Sequence, residues 1–151
     1  MIDKMKKLLA ENSMCVLATC SENKPLCSLM TYVTNEQTDT IYTVTLKTSR
    51  KYKNITQNPH VSLLVDSRAN NRGQAGIIEA LTAFGISSMM RNKADKDSML
   101  ARIGRSNPHL RELLIHPDAE VISIQVESFL LLEGPTQAHF ADIGKKSGCV
   151  A

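Results

Sequence analysis

Thr48-Ser49-Arg50-Lys51 is the run of this sequence best equipped for chemistry, with two hydroxyls and two cations in succession. Residues 41–46 (IYTVTL) before it alternate β-branched and apolar types, as a strand does. A short helical pattern follows and ends at Asn58-Pro59, and a second alternating run, 60–66, comes at once. A helix start offers unpaired N–H groups and the positive end of the helix dipole, a natural seat for phosphate. Ser49, Arg50 and Lys51 add donors and charge, and a phosphate dianion takes several charge-assisted hydrogen bonds. The competing explanation is structural: a solvated basic helix face whose cations pair with nearby carboxylates.

Other reactive side chains are scattered. His60 follows Pro59 at a strand start, a surface position. His109 and His116 flank one helical pattern seven residues apart, about two turns, which does not suit a shared metal. His139 stands alone, and no Ser/His/Asp grouping marks a nucleophilic triad or names a general base. Cys15, Cys20 and Cys27 fall in strand patterns and Cys149 in the tail, without the close pair spacing of a zinc knuckle. They read as small buried hydrophobes in a reducing compartment, and nothing supports a redox role for Cys149.

The elements that must position the basic run form one domain, expected over 1–143, with 144–151 as a flexible tail. A net charge of +3 is too mild for a nucleic-acid surface, and the cations cluster only at 47–53. Aromatics are 4% with no Trp, so stacking platforms for single strands are not expected. A regulatory binder using Arg50, Lys51 and Lys53 with Arg68 and Arg72 is accordingly the weakest of the functional classes. Lys4, Lys6 and Lys7 precede Leu8-Leu9-Ala10, but Glu11-Asn12-Ser13 interrupts what a signal segment would need. No apolar run reaches membrane-spanning length, so the expected location is cytoplasmic.

Asp3 is a candidate cap for a first helix with Ile2, Met5, Leu8 and Leu9 on one face. Strands are predicted at 14–20, 26–34 and 40–46, joined by polar turns at 21–25 and 35–39, an antiparallel meander. The fourth strand is 60–66, and 67–76 has loop composition. A fifth strand spans 77–90 with Gly85 at a bulge. A helix over 95–103 stops at Gly104, and Asn107-Pro108 caps a second helix bearing Leu110, Leu113 and Leu114. Residues 120–126 alternate, and the apolar run 129–132 continues to Gly134-Pro135. Antiparallel strands that must hide their edges close into a barrel.

Thr45, Ser49 and Lys51, followed by Asn54-Ile55 and Asn58-Pro59-His60-Val61, resemble the signature of the pyridoxamine-phosphate-oxidase-like, FMN-binding split-barrel family. The resemblance covers roughly 14–126 and is strongest in 41–66. It implies a mainly β fold with inserted helices, a six-stranded antiparallel split β-barrel, with FMN as cofactor in a homodimer whose flavin site lies at the subunit interface. Carried over, Arg50 and Lys51 match the phosphate cations, with Ser49 and Thr48 as hydroxyl donors. Thr45 matches the threonine beneath the ribityl chain or ring edge. Cys27, Ser28, Leu29 and Met30 occupy the strand whose backbone meets the isoalloxazine. Tyr42 and Thr43 match a tyrosine–threonine pair of the oxidase, although the spacing to Ser49 is longer here. Thr82 stands where a further flavin-contacting polar residue is sought.

The chain departs from the oxidase itself. Residues 26–31 read LCSLMT without the oxidase's arginine, and the end at 144–151 lacks its arginine- and histidine-bearing substrate segment. The expectation is an FMN flavoprotein passing electrons or hydride between itself and a small-molecule donor or acceptor, other than pyridoxamine phosphate. The alternative is an FMN-binding electron carrier without turnover, with deazaflavin or haem as further ligands. The run 129–132 is either a dimer surface or the last core strand.

Overall fold

The computed structural model describes residues 1–70 and 76–144. Helix α1 (Ile2–Glu11) precedes strands β1 (Met14–Ser21), β2 (Lys24–Thr34) and β3 (Thr40–Leu46). Helix α2 (Arg50–Gln57) leads to β4 (His60–Asp66) and β5 (Glu79–Met89). Helix α3 (Lys93–Ser106), a 3-10 turn (Pro108–Leu110) and the short α4 (Arg111–Leu114) then precede β6 (Ala119–Glu133) and β7 (Gln137–Asp142). The sheet order is β3-β2-β1-β4-β5-β6-β7, and β3 also pairs with β6. That last pairing closes β1 to β6 into the expected six-stranded antiparallel barrel.

The barrel is split because β2 and β3 pair only briefly. Tyr32, Val33 and Thr34 meet Thr43, Tyr42 and Ile41, and beyond them the strands part. Helix α2 covers the opening. It buries Ile55 in the core, and its Asn54 Nδ2 donates to Thr19 Oγ1 of β1 at 3.0 Å. At the tip of the β1–β2 hairpin, Glu22 and Asn23 both have positive φ, the two-residue turn that suits the strands' right-handed twist. The strands therefore run further into the predicted 21–25 turn than its composition suggests.

Period-two alternation gives two cores. Ile41 and Thr43 of β3 face the barrel interior, which holds Leu17, Tyr32, Leu63, Leu81, Ile124, Phe129 and Leu131 under Met5 and Leu9 of α1. The Tyr32 hydroxyl donates to the Leu9 carbonyl, which locks that helix down. Tyr42, Val44 and Leu46 face outward, beneath Ile103 and Leu114 of α3 and α4.

Several expectations are corrected. No side chain caps α1, whose N-cap is Met1 rather than Asp3. Gly104 does not stop α3: the helix runs to Ser106, and a Cβ on Gly104 would lie 3.2 Å from Leu114 Cδ1. The glycine makes room for α4. Asn107 does not cap the next helix with its side chain but donates back to the Ile103 carbonyl at 3.1 Å. The runs 120–126 and 129–132 are one strand, β6, and β7 was not anticipated. Cys15 is buried, which pushes its thiol up to about 12, but Cys27 is exposed because it lies on the outer face of β2.

The bulge expected at Gly85 is present. Gly85 faces Val126 and Phe84 faces Ser128, so Glu127 of β6 is the extra residue. Here β6 also changes neighbour, from β3 before the bulge to β7 after it. A Cβ on Gly85 would stand 2.4 Å from the Gln125 carbonyl oxygen, a backbone atom that cannot move alone. Gly85→Ala is therefore expected to cost about 1–3 kcal/mol, read as a lower urea midpoint at unchanged slope. No described helix is long and apolar enough to cross a membrane.

Candidate functional site

The turn between β3 and α2 is held from three sides. The Ser49 N–H donates to the Leu46 carbonyl at 3.0 Å, and the Lys47 N–H donates to the Asp118 carbonyl at 2.9 Å. Ser49 is the N-cap: its extended backbone starts α2, and its Oγ accepts the Tyr52 N–H at 3.2 Å. Thr45, buried at the end of β3, places its Oγ1 2.8 Å from Ser49 Oγ. The threonine thus orients the cap hydroxyl.

What this turn leaves open is cationic. The backbone N–H groups of Arg50 and Lys51 have no acceptor among the described residues. The side chains of Arg50, Lys51 and Lys53 likewise make no hydrogen bond or ion pair among the described residues. Of the cations in 47–53, these three of α2 thus pair with no carboxylate among the described residues, whereas Lys47 pairs with Glu120. Lys47, Thr48, Ser49, Arg50, Tyr52 and Lys53 line an open groove of ≈ 410 Å³. Lys51 follows directly on the helix without lining it. Arg50 and Lys53 also border a second groove of ≈ 280 Å³ with Lys24 and Gln57.

Glu120 escaped the sequence reading. It faces Thr45 across β3 and β6, and its carboxylate bridges Lys47 Nζ and Lys96 Nζ, each at 3.2 Å. Burial alone would raise its carboxyl, but hydrogen bonds from Lys96 and Lys47 outweigh that and hold it below the usual carboxylate range. The available signal was a carboxylate in phase with Ile122, Ile124 and Val126, the apolar face of the alternating run.

The other predicted residues divide by strand parity. Cys27 and Leu29 lie on the outer face of β2, Met30 points into the barrel, and Ser28 is half-buried. Leu29, Val16, Leu64 and Thr82 form one rung across β2, β1, β4 and β5. At about 4.8 Å per strand, Thr82 stands roughly 14 Å from Leu29. Beside this rung a groove of ≈ 460 Å³ is floored by Met14, Val16, Leu29 and Leu64 and edged by Asp66 and Arg68. Arg68 grips Asp66 through two hydrogen bonds of 2.9 Å, which holds that carboxyl below its usual range. The structure brings Tyr42 and Thr43 into neither groove. Tyr42 packs beneath the α3–α4 helices, and Thr43 is enclosed with its hydroxyl donating to the Thr31 carbonyl. Arg72 and Cys149 lie outside the described residues. Among the described residues no group of three or more His, Cys, Asp or Glu could hold a metal.

The family model described as pyridoxamine 5'-phosphate oxidase matches residues 1–133. The chain belongs to that family. A pyridoxamine 5'-phosphate oxidase homolog of Schizosaccharomyces pombe is 38% identical over 77 residues, covering 46% of this chain and 40% of the relative. The chain thus matches less than half of that relative's length. Among solved structures of similar fold, a putative pyridoxamine 5'-phosphate oxidase from Listeria innocua has a TM-score of 0.66 at 22% identity, covering 86% of this chain and 96% of its own. A FAD-binding protein from Mesorhizobium loti gives 0.72 at 16%, covering 87% and 93%. A heme-binding protein from Mycobacterium smegmatis gives 0.77 at 13%, covering 92% and 56%. These structures share the oxidase family's split barrel with the chain, at identities that speak to fold alone.

Proposed function

We propose that this chain is an FMN-binding flavoprotein, an oxidoreductase acting on a small molecule, and that it works as a homodimer. One observation carries the reading: at the start of α2 the Arg50 and Lys53 side chains and the Arg50 and Lys51 N–H groups have no protein partner among the described residues, beside the Thr48 and Ser49 hydroxyls. That donor set fits a phosphate monoester, with Thr48, Ser49, Arg50 and Lys51 as its holders and Thr45 fixing the serine. The apolar outer face of β2, with Cys27 and Leu29, offers the flat surface that a flavin ring needs. When bound, the flavin supplies the hydride or electron chemistry, and the chain supplies anchorage, access and electrostatics. The missing arginine in 26–31 argues for a substrate other than pyridoxamine phosphate. Free Cys15, Cys20 and Cys27 agree with a reducing, cytoplasmic setting.

The dimer reading rests on the same outer face. The rung of Leu29, Val16, Leu64 and Thr82 continues through Leu130 to Phe140 of β7. Leu29 is 69% and Phe140 66% exposed, at opposite ends of a band spanning six strands. A second copy is the occupant that would cover such a band while enclosing the β2 surface. Leu29→Asp is expected to halve the mass measured by light scattering without changing the far-UV spectrum. A mass unchanged by the substitution would remove Leu29 from the interface.

The test of the cofactor is a visible absorption spectrum of the purified protein, then an FMN titration of any colourless fraction. Flavin bands or saturable FMN binding support the reading. Folded protein indifferent to FMN overturns it, and deazaflavin and haem become the next ligands to titrate. Saturable NADH or NADPH oxidation by the loaded protein separates an enzyme from an electron carrier.

A further inference from the structure

We infer that Glu120 sets the charge preference of the groove at the start of α2, by holding the Lys47 ammonium out of it. The inference rests on reading that groove as an anion site. Lys47 belongs to the groove wall, yet its Nζ is drawn to Glu120 Oε1 at 3.2 Å. The other carboxylate oxygen is occupied by Lys96 Nζ, also at 3.2 Å, so Glu120 is anchored from α3. Glu120 is only 9% exposed, whereas the Lys47 side chain is 53% exposed. The carboxylate is thus the fixed partner and the lysine the one able to swing.

The backbone is tied down separately. The Lys47 N–H bonds to the Asp118 carbonyl and the Ser49 N–H to the Leu46 carbonyl, and neither bond involves Glu120. Neutralising Glu120 therefore releases the Lys47 side chain without releasing the turn. While Lys47 is held, the groove offers an anion the Arg50 and Lys53 side chains, the hydroxyls and the α2 N–H groups. That complement suits a phosphate monoester. An added ammonium favours a more highly charged anion, because each further charge-assisted bond needs a further oxygen to accept it.

Calorimetric titrations of the full chain with inorganic phosphate and with pyrophosphate test this. In Glu120→Gln, pyrophosphate affinity is expected to rise about fivefold, the gain from one partly exposed ion pair, and phosphate affinity less than about twofold. Lys47→Met alone removes a charge that acts on both anions only through space, so it should leave the pyrophosphate-to-phosphate affinity ratio within about twofold of wild type. The double variant should return the pyrophosphate-to-phosphate ratio to the wild-type value. An unchanged ratio in Glu120→Gln, a gain that survives in the double variant, or a ratio altered in Lys47→Met would each overturn the inference. A wild-type chain that binds neither anion would instead overturn the anion-site reading beneath it.

Discussion

Replacing Arg50 and Lys51 together by alanine is expected to weaken FMN binding about 100-fold, while the folding free energy changes by less than about 0.5 kcal/mol. The first figure follows from two hydrogen bonds to a charged group, each worth about 1.5–3 kcal/mol when desolvated and less at a partly open site. The second follows from the absence of any hydrogen bond or ion pair to either side chain among the described residues, so that folding loses no partner when they go. Fluorescence titration of the flavin gives the affinity, and urea unfolding gives the stability. Wild-type affinity should also fall with added salt, as expected for cations that remain in contact with water. If the double variant bound FMN as tightly as the wild type, the phosphate would have to be held elsewhere. If it instead lost several kcal/mol of stability, the cations would be structural and the site reading would fail with them.

The elements that flank the candidate site were legible because their signals are local. Alternation, a polar basic turn and an Asn-Pro stop define β3, α2 and β4 within a single stretch, and the bounds of β3 and β4 match the sequence reading. Gly85 was legible for a similar reason, since an isolated glycine in a strand pattern marks a close backbone approach. What failed depended on partners distant in sequence. Gly104 carries a stop signal, but α4 packs against it and continues the helix past it. Asn107-Pro108 carries an N-cap signal, but the asparagine serves the helix behind it. Tyr42 and Thr43 are adjacent in sequence and therefore lie on opposite faces of β3, so a matched dipeptide could not bring both side chains to one ligand. Glu120 needed the closure of the barrel, because only the β3–β6 pairing brings a residue so late in the chain beside Thr45 and Lys47.

Phe129→Ala is expected to cost about 3–5 kcal/mol, a large share of the stability of a domain this size. Phe129 is fully buried among the barrel side chains, immediately after the Glu127 bulge where β6 passes from β3 to β7. Truncation leaves a cavity that the surrounding strands cannot close without disturbing that register. The same strand supplies the contrast. Leu130 and Leu132 alternate with Phe129 and Leu131 and lie on the outer face, Leu132 being 43% exposed. Leu132→Ser should therefore leave the unfolding of a dilute, monomeric sample within about 0.5 kcal/mol and act instead on the concentration dependence of the thermal midpoint. The run 129–132 had two readings, a core strand or a dimer surface, and strand parity gives each reading its own two residues. A loss of stability in Phe129→Ala that does not depend on protein concentration, beside a concentration-dependent loss in Leu132→Ser, would separate the two faces. Equal, concentration-independent effects of both substitutions would assign the whole run to the core and leave the proposed dimer contact to the Leu29 end of the sheet.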